Sequence, residues 1–172
     1  YVTDGWGSIY KFDATKNGKL VWKMNPDTDK DFPGAVTCCG INNRGVALID
    51  NKVVSHTLDG RLIVTNKESG EIEQEVQLAD ASIAEVITAA PLVVKNSAIT
   101  GVAGAEYGIR GWLHSTNLAD GSKNWRTYTI PAPDEPGGDT WKQGPEAHSK
   151  DAWMHGGGST WVVGSYLSLI HI

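Results

Sequence analysis

Three segments of this 172-residue chain repeat one pattern at a period near fifty, and that period restricts the fold more than any other feature. Each segment has a short strand ending in Asp or Asn, then a glycine, then an anchor position four residues further on. The first runs Ser8-Ile9-Tyr10-Lys11-Phe12-Asp13, with Gly18 and Trp22. The second runs Arg61-Leu62-Ile63-Val64-Thr65-Asn66, with Gly70 and Gln74, and the third Trp112-Leu113-His114-Ser115-Thr116-Asn117, with Gly121 and Trp125. The glycines lie 52 and 51 residues apart. Such a period, with hairpin turns such as Asp50-Asn51 and Asp59-Gly60 inside the unit, fits four-stranded propeller blades better than a sandwich or a helical solenoid. The fold class expected is therefore all-β, about three blades of a propeller. Trp22 and Trp125 are expected to pack on a neighbouring blade, each with an N–H that needs a partner, and Gln74 departs from that pattern.

The second unit gives four candidate strands: Gly45 to Ile49, Val53 to Thr57, Leu62 to Asn66 and Ile72 to Val76. A stretch from Pro131 to His155, rich in Pro, Gly and charge, is too long for a hairpin connection and reads as an excursion over one face. Propellers close with about four to eight blades, so three units predict open sheet edges and a truncated chain. The partial propeller domain is placed at 1–166, and residues 167–172 read as a tail foreign to the fold. The opening Tyr1-Val2-Thr3-Asp4-Gly5 looks like mid-strand, so an upstream leader is expected to be missing.

The formal net charge of -5, with Lys and Arg scattered, argues against nucleic acid or an anionic membrane surface as the main partner. No apolar run reaches the length of a membrane span. No Gly-x-Gly-x-x-Gly opens a helix, which disfavours a nicotinamide dinucleotide enzyme. The histidines at 56, 114, 148, 155 and 171 lack zinc-site spacing; His114 reads as a strand residue and the others as loop or tail. Asp134-Glu135 reads as a solvated face.

Cys38 and Cys39 are the only cysteines, and they are adjacent. Neighbouring Cα atoms across a trans peptide sit about 3.8 Å apart, below the roughly 4.4 to 6.8 Å of a relaxed disulfide. A bridge between them would be a strained, local ring that closes almost no loop. Two independent buried thiols are the other reading.

Four groups of residues, in order along nearly the whole chain, resemble the quinoprotein alcohol dehydrogenases, eight-bladed propellers that use pyrroloquinoline quinone (PQQ) and include the methanol dehydrogenases. They are Cys38-Cys39 followed by Asn42-Asn43-Arg44-Gly45; Thr88-Ala89-Ala90-Pro91; Gly104-Ala105-Glu106-Tyr107-Gly108-Ile109-Arg110-Gly111; and Asp151-Ala152-Trp153 leading into Gly156-Gly157-Gly158-Ser159-Thr160-Trp161. The resemblance implies a vicinal disulfide between Cys38 and Cys39 on one face of the quinone and Trp161 stacked on the other. It implies that Arg44 pairs with a cofactor carboxylate, a task suited to a guanidinium fork. Thr88 and Ser159 match hydroxyl donors to the cofactor. Gly104 and Ala105 belong to a turn whose small residues allow close approach, and Glu106 matches a metal ligand for Ca2+ or a lanthanide. Ala103 stands where some relatives have Ser.

The activity implied is oxidation of a primary alcohol to an aldehyde by hydride transfer to PQQ, with electrons passed to a cytochrome c. The catalytic base and further metal ligands are expected beyond Ile172, so the chain alone is expected to be inactive. A periplasmic location is implied, and a homodimer is one arrangement open to the intact parent. Two other readings stay open: a non-enzymatic propeller scaffold for protein assembly, and a quinoprotein sugar dehydrogenase.

Overall fold

The computed structural model of the chain describes residues 1–31, 33–139 and 151–168. The middle of the expected 131–155 excursion, with His148, and the end of the expected tail, with His171, lie outside the described residues. Strands β1 (Val2–Thr3), β2 (Ile9–Asp13) and β3 (Lys19–Met24) form the first sheet. The second contains β4 (Ala47–Ile49), β5 (Lys52–His56), β6 (Arg61–Asn66) and β7 (Ile72–Gln77). The third contains β8 (Leu92–Val94), β9 (Ser97–Gly101), β10 (Trp112–Asn117) and β11 (Lys123–Tyr128). Every sheet is an antiparallel meander in chain order.

The repeat persists to single residues. A register shift interrupts the last hairpin of each sheet at the same place, between Lys11 and Phe12, Val64 and Thr65, and Ser115 and Thr116. The Asp or Asn that follows turns the chain by accepting backbone N–H groups on its own side chain: Asp13 from Thr15, Asn66 from Glu68 and Ser69, Asn117 from Ala119. The repeated glycine then donates its N–H to that residue's carbonyl in all three turns.

Sheet packs on sheet. Val53 and Val54 are neighbours on β5 that point to opposite faces, and both are buried. Val53 joins Ile9, Met24 and Ile63 between the first and second sheets; Val54 joins Leu62, Val64, Ile87 and Trp112 between the second and third. The middle sheet is covered on both sides, which explains the unbroken apolar run Leu62-Ile63-Val64.

The anchor positions seat each sheet on the next. The Trp22 indole lies on Gly70, where an added Cβ would come within 2.7 Å of the ring, and Nε1 donates to the Lys67 carbonyl at 3.2 Å. Gln74 lies on Gly121 in the same manner, with its amide nitrogen 2.9 Å from a Cβ placed there. Gln74 therefore fills the seat rather than breaking the pattern, since the turn requires a long flat side chain over a glycine and an amide supplies one. Trp125 is 42% exposed.

Two sequence readings change. His56, read as a loop histidine though it falls within the expected strand Val53 to Thr57, ends β5 and is fully buried. Its Nδ1–H donates to the Ala89 carbonyl at 2.9 Å and Nε2 accepts from the Thr100 hydroxyl at 2.8 Å, a neutral tautomer. Burial lowers its pKa to about 4. His114 on β10 is also pushed down to about 4, by burial and then by the charges of Arg126 and Lys123. Glu135, expected on a solvated face, pairs with Arg110 and accepts the Ala132 N–H at 2.8 Å. Arg110 in turn stacks on Tyr128 at 3.9 Å and Trp153 at 4.7 Å, pinning the start and end of the excursion to the third sheet.

Gly18, Gly70 and Gly121 all have positive φ, but a Cβ at Gly18 would meet nothing within 4 Å. The Ala substitutions should therefore destabilise in the order Gly70, Gly121, Gly18, with Gly18→Ala costing about 1 kcal/mol and Gly70→Ala roughly 2 to 4 kcal/mol. Urea titration of the three variants checks the order. Because the folded-state pKa of His56 lies below its unfolded value of 6.5, the unfolded chain binds the proton first. Stability is therefore fully present above pH 6.5 and falls as pH drops toward 4, by up to about 3 kcal/mol from this residue. His56→Gln should flatten the melting temperature against pH over that window, leaving the part due to His114.

Candidate functional site

Four connecting segments meet over the sheets and enclose a cleft of about 140 Å3. The loop from β3 to β4 supplies Cys38, Cys39 and Arg44; the segment before β8 supplies Thr88; the turn between β9 and β10 supplies Glu106; the segment after β11 supplies Ser159 and Trp161. Residues far apart in sequence thus share one cavity, and all seven were singled out from the sequence. Gly104 and Ala105 do not line it. They build the turn behind it: Gly104 takes φ of 118°, and a Cβ there would come within 2.0 Å of the Ala84 carbonyl. A short 3-10 turn, Ala105–Tyr107, follows and presents Glu106.

Each wall has a physical support. Trp161 is 47% exposed, but the backbone that carries it is pinned to the third sheet. Thr160 N–H donates to the Val102 carbonyl at 2.9 Å, and its hydroxyl donates to the Trp112 carbonyl at 2.6 Å while accepting the Val102 N–H at 3.0 Å. Two glycines permit this approach: a Cβ on Gly101 would sit 2.0 Å from the Thr160 carbonyl oxygen, and one on Gly111 2.1 Å from that of Gly158. Ser159 Oγ accepts the Ala105 N–H at 3.2 Å, which leaves its own proton to donate elsewhere.

The cationic side is Arg44. Its backbone N–H and Nη1 both donate to the Thr88 carbonyl, at 3.1 and 3.2 Å, and Nη1 also donates to Asn42 Oδ1 at 2.8 Å. The guanidinium carbon lies 5.0 Å from the centre of the Trp161 ring. Thr88 is buried and holds Arg44 through its carbonyl.

The sulfurs of Cys38 and Cys39 lie 2.7 Å apart as free, exposed thiols. The two sulfurs therefore stand side by side on the rim of the cleft, as the resemblance implies for the pair. Hydrogen bonding to Cys39, then to the Glu106 carboxylate, pushes the Cys38 thiol up to about 12. Glu106 is the one carboxylate among the described residues lining the cleft. Among the described residues no group of three or more His, Cys, Asp or Glu is arranged to hold a metal.

Thr37, Asn42 and Val86 also line the cleft and were given no role from the sequence, although Asn42 lies in the motif quoted above. Thr37 and Asn42 flank the cysteines by one and three residues, a proximity that could have flagged them. Val86 had no signal beyond an apolar pattern. Ala103 lines the cleft with a methyl group.

No family model matches the chain. Individual proteins do. A quinohemoprotein alcohol dehydrogenase, ADH-IIG, of Pseudomonas putida is 34% identical over 180 residues, which cover 100% of this chain and 25% of that protein. Its solved structure superposes with a TM-score of 0.81 and 31% identity, over 96% of this chain and 25% of the other. The chain belongs to the quinoprotein alcohol dehydrogenase family. A lanthanide-dependent methanol dehydrogenase of Methylorubrum extorquens is 33% identical, covering 92% of this chain and 28% of that protein. A 1-butanol dehydrogenase (cytochrome c) of Thauera butanivorans is 31% identical, covering 94% and 21%. The chain thus spans about a quarter of the length of these relatives, and its three sheets match part of a quinoprotein dehydrogenase propeller.

In the reduced state, hydrogen bonding to Cys39 and then to Glu106 favours the protonated form of Cys38. After reduction, iodoacetamide at pH 8.5 should therefore modify Cys38 much more slowly than an unperturbed thiol, and Glu106→Ala should accelerate it; peptide mass mapping over time reads both rates.

Proposed function

We propose that this chain supplies the quinone-holding part of a PQQ-dependent alcohol dehydrogenase that oxidises a primary alcohol to an aldehyde and passes electrons to a cytochrome c. The observation that carries this reading is the convergence of Arg44, Thr88, Glu106, Ser159, Trp161 and the sulfur pair on one cleft. These residues suit the cofactor's chemistry: a flat indole and a sulfur pair for a planar ring system, a guanidinium and a hydroxyl for its carboxylates. When bound, PQQ supplies the electron acceptor that no side chain can provide. Arg44 and Ser159 orient it, Trp161 covers it, and Glu106 is the residue that would ligate Ca2+ or a lanthanide. A hard cation takes about six to eight oxygens, so Glu106 would be one ligand, with the other ligands and the general base coming from outside the described cleft. A disulfide between Cys38 and Cys39 belongs to this reading, with a periplasmic setting that would sustain it.

The names of the relatives support an alcohol as substrate, lanthanide dependence, and cytochrome c as acceptor. A non-enzymatic propeller scaffold would have no use for a cation, a carboxylate and an adjacent sulfur pair in one cavity.

Adding PQQ with Ca2+ or Eu3+ and separating unbound cofactor by desalting should leave the quinone absorbance with the protein. Arg44→Gln and Trp161→Ala should each weaken retention about 10-fold or more. Failure of the unaltered protein to retain PQQ under both metals would favour the scaffold. Dye-linked oxidation of ethanol by a full-length protein carrying this segment tests the reaction itself.

A further inference from the structure

Asn42 lines the cleft and makes two side-chain hydrogen bonds, one to each side of itself in the loop between β3 and β4. Its Nδ2 donates to the Gly40 carbonyl at 3.0 Å, inside the turn that follows the sulfur pair. Its Oδ1 accepts from Arg44 Nη1 at 2.8 Å. We propose that Asn42 is a positioning residue: one amide clamps the Arg44 guanidinium to the cysteine turn and so presets the edge that takes a quinone carboxylate. The proposal rests on the quinone-binding reading above.

The geometry of the guanidinium gives the argument its force. Arg44 Nη1 is occupied twice, by Asn42 Oδ1 and by the Thr88 carbonyl at 3.2 Å. Among the described residues neither Nε nor Nη2 has a hydrogen-bond partner. A carboxylate that pairs in the two-pronged manner therefore meets the Nε and Nη2 edge, and the orientation of that edge is fixed by what holds Nη1. One of those holds is a backbone carbonyl that no substitution removes. The other is Asn42. Arg44 is exposed, and a solvated arginine samples many rotamers, so fixing it before the anion arrives removes an entropic cost from binding. The same amide couples the cation to the backbone bearing Cys38 and Cys39, so the guanidinium and the sulfur wall keep one spacing. A leucine here has neither polar atom; an aspartate retains the acceptor for Arg44 and loses the donor to Gly40.

The experiment measures PQQ affinity by quenching of tryptophan fluorescence, together with the side-chain nitrogen NMR signals of Arg44 without cofactor, in the unaltered chain, Asn42→Leu, Asn42→Asp, Arg44→Gln and the Leu–Gln double variant. Asn42→Leu should raise the dissociation constant roughly 3- to 10-fold at unchanged melting temperature. The double variant should bind no more weakly than Arg44→Gln alone, since Asn42 acts through Arg44. Asn42→Asp keeps the bond to Nη1 but loses the tie to Gly40 and sets a negative charge beside the anion site, so it should also bind PQQ more weakly, while its Arg44 signals stay distinct. Distinct, slowly exchanging Nη1 and Nη2 signals in the unaltered chain and in Asn42→Asp, collapsed in Asn42→Leu, support the clamp. Full affinity in Asn42→Leu, or losses that add in the double variant, overturn it. If the unaltered chain binds no PQQ, the quinone reading itself fails; the Arg44 signals then decide the clamp alone, and identical signals in all variants overturn it.

Discussion

Burial of one sheet face against the next is the interaction on which this structure depends. A meander of three or four short strands has two faces and no interior, so its side chains leave water only when another sheet covers them. The middle sheet shows the result most fully, with Val53 and Val54 buried on opposite sides of one strand. Registry between sheets is set at the rim, where Trp22 and Gln74 lie over turn glycines. His56 adds a polar tie through the same interface, reaching the backbone of Ala89 and the hydroxyl of Thr100 on the third sheet's side.

The cleft inherits its geometry from that packing. Its walls come from different places in the fold: the cation and thiols from the loop between the first and second sheets, Glu106 from a turn within the third, and Trp161 from the segment beyond it. Arg44 crosses the divide, bonded to the Thr88 carbonyl and stacked near the Trp161 ring. A slip of one sheet against another would separate these groups even with every strand intact. Local strand stability and site integrity are therefore distinct properties of this chain.

Much of this was legible in the sequence because the repeat is written in turn chemistry. Asp13, Asn66 and Asn117 each bond to backbone just ahead, and each is followed by a glycine at a fixed place, so strand ends fall within about two residues of expectation. The β4 start shifted from Gly45 to Ala47 because Gly45 takes φ of 108° in a turn held by Asn43. Tertiary contacts were less legible. Gln74 looked like a lapse until its neighbour across the sheets, Gly121, was seen beneath it. His56 read as a loop residue and Glu135 as a solvated one because their partners, Ala89 and Thr100 for one and Arg110 for the other, lie 25 or more residues away. In the cleft, chemically distinctive residues were found and plain ones such as Thr37 and Val86 were not, since nothing local separates a lining residue from a core one.

The two glycines under the Trp161 segment carry a consequence of their own. Gly101 and Gly111 sit in the sheet and its approach, away from the cavity, yet each leaves room for one carbonyl oxygen of the strip that bears the indole. Adding a single methyl group at either would push against that strip before it met anything else. Variation at these positions would thus look, in a survey of damaged copies of the gene, like harm to the cofactor seat inflicted from a distance, in proteins that still fold.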